Sequence, residues 1–166
     1  EVIDVIAHDG CDPATYVANL FEEHQVVFLG EHTPSREAGL FLQELVPVLQ
    51  AAGVWCLGIE FACVDDQELL DALLRAPKFD DTLARAALFR WGLRHHFAYS
   101  EYLDVLRAAW AVNQTKDPLA PMFRVVALDY DIEVDAVTDT ADLRSPYAWE
   151  HLRPRGSAAR HMAEVI

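Results

Sequence analysis

Apolar residues fall along this chain in short unbroken runs separated by longer stretches of helical spacing, and that alternation predicts an α/β fold. Val26-Val27-Phe28-Leu29 follows Gln25 and stops at Gly30. Four consecutive apolar residues, β-branched and aromatic among them, are too few for a helix and read as a buried strand. Pro34 then fixes φ and Ser35 can cap, so a helix is expected over 35–52. It carries Ala38, Leu42, Leu45 and Leu49 on one side with Phe41 and Val48 beside them. Pro47 should kink this helix and Gly53 should close it. The next apolar run, 54–61, has Glu60 as its one charge. Strand, helix and strand in this order predict a parallel βαβ unit.

Ahead of that unit, 2–6 reads as a short edge strand, Asp9-Gly10 as a turn, and Asp12-Pro13 as the start of a helix reaching Glu23, with Tyr16, Leu20 and Phe21 at helical spacing. Behind it, Asp65-Asp66-Gln67-Glu68 offers a capping acceptor and predicts a helix over 66–75 that Pro77 stops. A second helix is expected over 81–92. Tyr99, Tyr102, Leu103, Leu106 and Trp110 predict a third. Residues 65–113 thus form a helical insertion between the second and third core strands, the third being 123–129. Residues 137–155 read as acidic and irregular. A last helix starts at 157 and its pattern is unfinished at Ile166, so the domain is expected to be incomplete at its C-terminus. The expectation is one α/β domain over 1–166, with a mostly parallel sheet and flanking helices.

With 52% hydrophobic residues in 166, the chain can bury one real core. Its 27 acidic and 13 basic residues give a formal charge of −14, which repels phosphate and argues against nucleic-acid or anionic-membrane partners. A neutral or cationic small molecule suits it better; oligomeric state stays open. Cys11, Cys56 and Cys63 are odd in number and at no metal spacing, so buried free thiols are expected. No apolar run reaches a membrane span and no leader pattern opens the chain. A cytoplasmic location is favoured, with a lipid-anchored or secreted form left open.

The candidate chemistry sits where strands end. Parallel strands point the same way, so Glu31, Glu60 and Asp129, with Asp131 just beyond, are expected at one edge of the sheet, where open α/β folds bind ligands. Two carboxylates brought together make a general acid or base, or hold a cation, and acids closing apolar strands are costly to bury without a purpose. An imidazole changes charge near neutrality, so His32 could move a proton. Arg36, in the first turn of the helix, could hold an anionic or carbonyl oxygen or neutralise Glu31. His95 and His96 are adjacent, a poor geometry for sharing one ion. Trp91, Phe97, Tyr99 and Tyr102 around them read as core or pocket wall, and Arg160-His161 could approach the strand ends. There is no Gly-rich phosphate loop, no zinc-spaced Cys/His set and no G-x-S-x-G elbow.

Leu29-Gly30-Glu31-His32, the long helix after it, Leu57-Gly58-Ile59-Glu60-Phe61 and the late Met162-Ala163-Glu164 resemble the superfamily that joins erythromycin esterases, ChaN-like haem-binding lipoproteins and Tiki/TraB proteins. The order of these motifs covers most of the chain. The resemblance implies an α/β fold and, by branch, lactone hydrolysis by an acid and a histidine, haem binding linked to iron uptake, or metal-dependent proteolysis. The chain departs from those patterns at Thr33-Pro34, where relatives often carry the histidine, and at Ala158-Ala159, where Arg-Asp commonly precedes Met-Ala.

The leading expectation is a hydrolase-like site, with Glu31 and Glu60 orienting or deprotonating water, His32 moving the proton and Arg36 stabilising charge on an ester, lactone or amide oxygen. Trp91, Asp129, Asp131 and Arg160 would line the substrate site. A divalent metal on Glu31, His32 and Glu60 is compatible with it. The competing expectation is a haem-binding protein with His95, His96 or Tyr99 as axial ligand. A domain that keeps the fold without the chemistry is the third.

Overall fold

In the computed structural model of the chain, residues 8, 10–31, 35–89, 99–114, 121–130 and 158–166 are described. Their elements run α1 (Pro13–Asn19) with a 3-10 turn (Leu20–Glu22), α2 (Arg36–Ala51), β1 (Cys56–Cys63), a 3-10 turn (Val64–Asp66), α3 (Gln67–Arg75), α4 (Asp81–Phe89), α5 (Ser100–Gln114), β2 (Arg124–Asp129) and α6 (Ala158–Val165). β1 and β2 make a small parallel sheet, and three helices among the described residues lie in the crossover that parallel pairing requires. The fold is mixed α/β. The chain divides into two compact units, Glu1–Leu57 with Tyr99–Arg124, and Gly58–Ala98 with Val125–Ile166.

In the first unit, α1 begins where the Asp12 carboxylate accepts from the Thr15 backbone N–H at 2.9 Å and the Thr15 hydroxyl at 3.0 Å, with Pro13 opening the helix. Those bonds, the backbone one first, hold the Asp12 carboxyl below the usual carboxylate range. Ala14 and Val17 form the buried face, and α1 lies on α2. Tyr16, expected on the apolar side, is exposed. A helix this short buries one narrow face, and Tyr16 is a third of a turn away from Val17.

Ser35 caps α2 by accepting from the Ala38 N–H at 3.3 Å. Its end is a Schellman motif: the Val54 N–H reaches the Leu49 carbonyl at 2.9 Å, the Gly53 N–H reaches Gln50 at 3.1 Å, and Gly53 has φ +83°. Pro47 stays inside the helix, at the loss of one backbone bond. The buried positions are Gly39, Leu45, Val46 and Leu49, a stripe rotated from the expected one. The cause is α5, which packs along α2 so closely that a Cβ on Gly39 would sit 2.8 Å from the Glu101 Cβ. Tyr102, Leu103, Val105, Leu106, Ala109 and Val112 are the buried side of α5.

Residues 26–29 depart most from expectation. They form no strand among the described residues, and Phe28 is 81% exposed with Val26 and Leu29 also open to solvent. Apolar side chains alone do not make a strand, because the backbone must find a ladder partner. The βαβ unit expected over 26–61 is therefore replaced by the parallel pair of β1 with β2.

Side chains complete the ladder of β2. The Arg124 N–H donates to the Trp55 carbonyl at 2.7 Å, so even-numbered residues turn their backbone groups toward β1 and odd-numbered ones turn away. In the first unit the Asn113 carboxamide accepts from the Phe123 N–H at 2.8 Å and donates to the Phe123 carbonyl at 2.9 Å. In the second unit Gln67 donates to the Val125 carbonyl at 2.9 Å and accepts from the Ala127 N–H at 2.8 Å. One carboxamide thus bonds the two groups that a residue of a further parallel strand would bond.

In the second unit, β1 alternates only as far as Phe61, and Ala62 beyond it is buried as well. Ile59, Phe61 and Cys63 are buried while Gly58 and Glu60 are exposed, so this strand is not covered equally on both faces as its apolar run suggests. Gly58 makes room for Leu128, whose Cδ1 would lie 2.9 Å from a Cβ there. Leu70, Leu73 and Leu74 of α3 face α4, which buries Ala84, Ala87 and Leu88. Asp80 caps α4, accepting from the N–H groups of Thr82 and Leu83 at 2.9 and 3.1 Å. Asp66 precedes α3 as expected but makes no side-chain cap bond; it is fully buried in the 3-10 turn. All three thiols are free, yet only Cys63 is buried, because Cys56 begins β1 on its exposed face and Cys11 precedes the α1 cap. No helix among the described residues is long and apolar enough to cross a membrane.

Candidate functional site

Glu31 ends the exposed coil that leads toward α2, and its partner comes from the first turn of α5. The hydroxyl of Tyr102 donates to Glu31 Oε1. Tyr102 is 1% exposed, and burial first, then the bond to Glu31 and that carboxylate's charge, push its phenol above the ordinary tyrosine range. The Tyr99 ring, 44% exposed, stands beside it with centroids 6.4 Å apart and planes tilted by 52°.

The same turn of α5 is fastened to α2. Arg36 donates its Nε–H to Glu101 Oε1 at 2.8 Å, so its ion pair goes to Glu101 and not to Glu31. Gln43 donates to the Glu101 carbonyl at 3.0 Å, and Ser100 donates to Glu101 Oε2 at 3.2 Å. The Glu101 carboxyl is held below the usual range by its own backbone N–H first and by Arg36 next.

In the second unit Glu60 is exposed within β1, which runs three residues beyond it to Cys63. It was expected at the strand's end; Phe61, Ala62 and Cys63 prolong the strand because they are apolar and buried. Glu31 is likewise not handed over by a strand, since 26–29 is coil. Asp129 ends β2 and its Oδ1 accepts from the Tyr130 N–H at 2.9 Å. Arg160 is exposed on α6. His161 beside it is buried, its ring edge-on to Tyr130 with centroids 4.9 Å apart, and its Nε2 has no hydrogen-bond partner among the described residues.

Of the other sequence candidates, His32, Trp91, His95, His96 and Asp131 lie outside the described residues. Glu31, Arg36 and Tyr99 belong to the first unit, and Glu60, Asp129 and Arg160 to the second. Sequence reasoning took Tyr102 for core or wall, which its burial bears out, but missed its hydroxyl's bond to Glu31. Nothing local signals that bond, which joins residues 71 apart in sequence. Asp66 and His161 were also passed over as buried polar groups, and a buried carboxylate inside an acidic tetrad looks in sequence like any solvated cap.

No three His, Cys, Asp or Glu side chains among the described residues come together as metal ligands. Of the haem ligand candidates Tyr99 alone is described, and its ring is exposed. Comparison with protein-family models, with curated proteins and with solved structures gives no match.

Proposed function

We propose that the chain is a hydrolase-like domain of the erythromycin esterase/ChaN-like/Tiki type, with a mostly parallel sheet flanked by helices. Its chemistry is attack of water on an ester, lactone or amide. The observation that supports this reading is the Glu31 carboxylate, exposed to solvent yet tied at one oxygen to a buried phenol. An exposed acid with one oxygen fixed has its other oxygen available to orient and deprotonate water. His32 follows in sequence as the group that takes the proton onward. Arg36 contributes through the guanidinium N–H groups that its bond to Glu101 leaves over among the described residues, and these stabilise negative charge developing on the substrate oxygen.

The test is hydrolysis of 4-nitrophenyl butyrate and of a macrocyclic lactone by the wild type and Glu31→Gln. Loss of a general base lowers kcat by about 10²–10⁴-fold. Turnover unchanged by Glu31→Gln overturns the reading. A haemin titration run in parallel discriminates the alternative, haem binding linked to iron uptake: a saturable Soret shift that depends on a histidine or on Tyr99 would replace hydrolysis with that reading.

A further inference from the structure

The first turn of α5 is held against α2 by three separate contacts, all on one residue. Arg36 reaches the Glu101 carboxylate, Gln43 reaches the Glu101 carbonyl, and Gly39 lets the Glu101 Cβ approach to a distance that any side chain on residue 39 would forbid. Helix ends ordinarily fray, and a turn with its backbone carbonyl, its side chain and its Cβ all engaged does not move freely. The next residue along is Tyr102. Its ring is buried with the α5 core, so the direction of its hydroxyl is set by packing and by the clamp, and that hydroxyl meets Glu31. Glu31 itself stands on coil, and its one hydrogen bond among the described residues is this one.

We propose that Tyr102 is a positioning residue for Glu31: seated by the clamp of Arg36, Gly39 and Gln43 on Glu101, its hydroxyl occupies Oε1 and fixes the carboxylate so that Oε2 faces the reacting water. The assignment rests on the hydrolase reading for its consequence, and on the hydroxyl contact for its existence. A carboxylate on coil is otherwise free to rotate, and fixing it in a productive orientation is what a rigid neighbour contributes to catalysis. The clamp also gives α2 a role that its apolar stripe does not suggest, since Arg36 and Gln43 act on Glu31 only through Glu101 and Tyr102.

The experiment is NMR of protein labelled with ¹³C at tyrosine Cζ, combined with kinetics. The resonance missing from Tyr102→Phe is that of Tyr102, and Phe keeps the ring that packs in the core. In Glu31→Gln that resonance moves while the other tyrosines stay in place. Tyr102→Phe lowers kcat for 4-nitrophenyl butyrate on the order of 10–100-fold with KM little changed. A Tyr102 resonance that does not move in Glu31→Gln overturns the pair, whatever the turnover. A moved resonance with kcat unchanged in Tyr102→Phe overturns the positioning role. Absence of turnover in every form, with the Glu31-dependent shift present, sinks the hydrolase reading and leaves the Tyr102–Glu31 contact standing.

Discussion

Two apolar runs of this chain look alike and end differently. Val26-Val27-Phe28-Leu29 and Phe123-Arg124-Val125-Val126 each put phenylalanine among valines, and both read as strands. Phe123 is fully buried and Phe28 is 81% exposed. What separates them is where their backbones bond. Around β2 the Trp55 carbonyl, the Asn113 carboxamide and the Gln67 carboxamide take up N–H and C=O groups in turn. Residues 26–29 have no such ladder among the described residues. The difference teaches that an apolar run becomes a strand when polar partners arrive, here a backbone carbonyl and two carboxamides, of which Asn113 lies 10 residues away in sequence and Gln67 lies 58 away.

The sharpest way to break the comparison is to truncate both phenylalanines. Phe123→Ala should cost about 3–5 kcal/mol in a urea melt, the range for deleting a buried aromatic ring. Next in size is Gln67→Ala. It strands the Val125 carbonyl and the Ala127 N–H, with an expected loss of about 2–3 kcal/mol. Hydrogen exchange should speed up at Ala127 in particular; protection that survives there means the carboxamide is not the partner. Gly53→Ala tests the end of α2, where a Cβ in the left-handed region costs about 1–2 kcal/mol. A neutral result would mean that the Schellman turn is not what ends the helix.

Acid should weaken the first unit by a smaller amount. Asp12 has its carboxyl held low by Thr15, so the folded state binds that proton less readily than the unfolded chain does. Its contribution is complete above the ordinary carboxylate range and fades as pH falls through and below it. Asp12→Asn keeps an acceptor that does not titrate, so its acid unfolding curve should be shallower than that of the wild type. The smallest effect belongs to Phe28→Ala, expected within about 0.5 kcal/mol of wild type as at other exposed positions. A loss comparable to that of Phe123→Ala would show that 26–29 is buried and would restore the strand.

Much of the secondary structure was legible. Asp12-Pro13 announced α1, Ser35 and Gly53 bounded α2, Pro77 separated α3 from α4, and the last helix began within a residue of its expected start. These are local rules, acting within one turn of chain. The candidate site was legible only in part. Glu31 and Arg36 were singled out by type and position, but the Glu31–Tyr102 and Arg36–Glu101 contacts join residues 71 and 65 apart in sequence, where no local pattern operates. Asp66 illustrates the reverse case. Its acidic surroundings announced a capping acceptor, and the fold buried it without a side-chain cap bond.

By itself, then, the sequence determined where α1 to α4 start and where α2 and α3 stop, because caps, prolines and a left-handed glycine act on their own turn, whereas α1 ends at Asn19, short of the expected Glu23. It also determined that the protein is a mixed α/β fold. The tertiary structure alone decided which face of α2 is buried, which apolar run becomes a strand and which hydroxyl meets Glu31. Each of those outcomes depends on a partner brought from tens of residues away, and a close approach such as Gly39 against Glu101 has no trace in the neighbouring sequence.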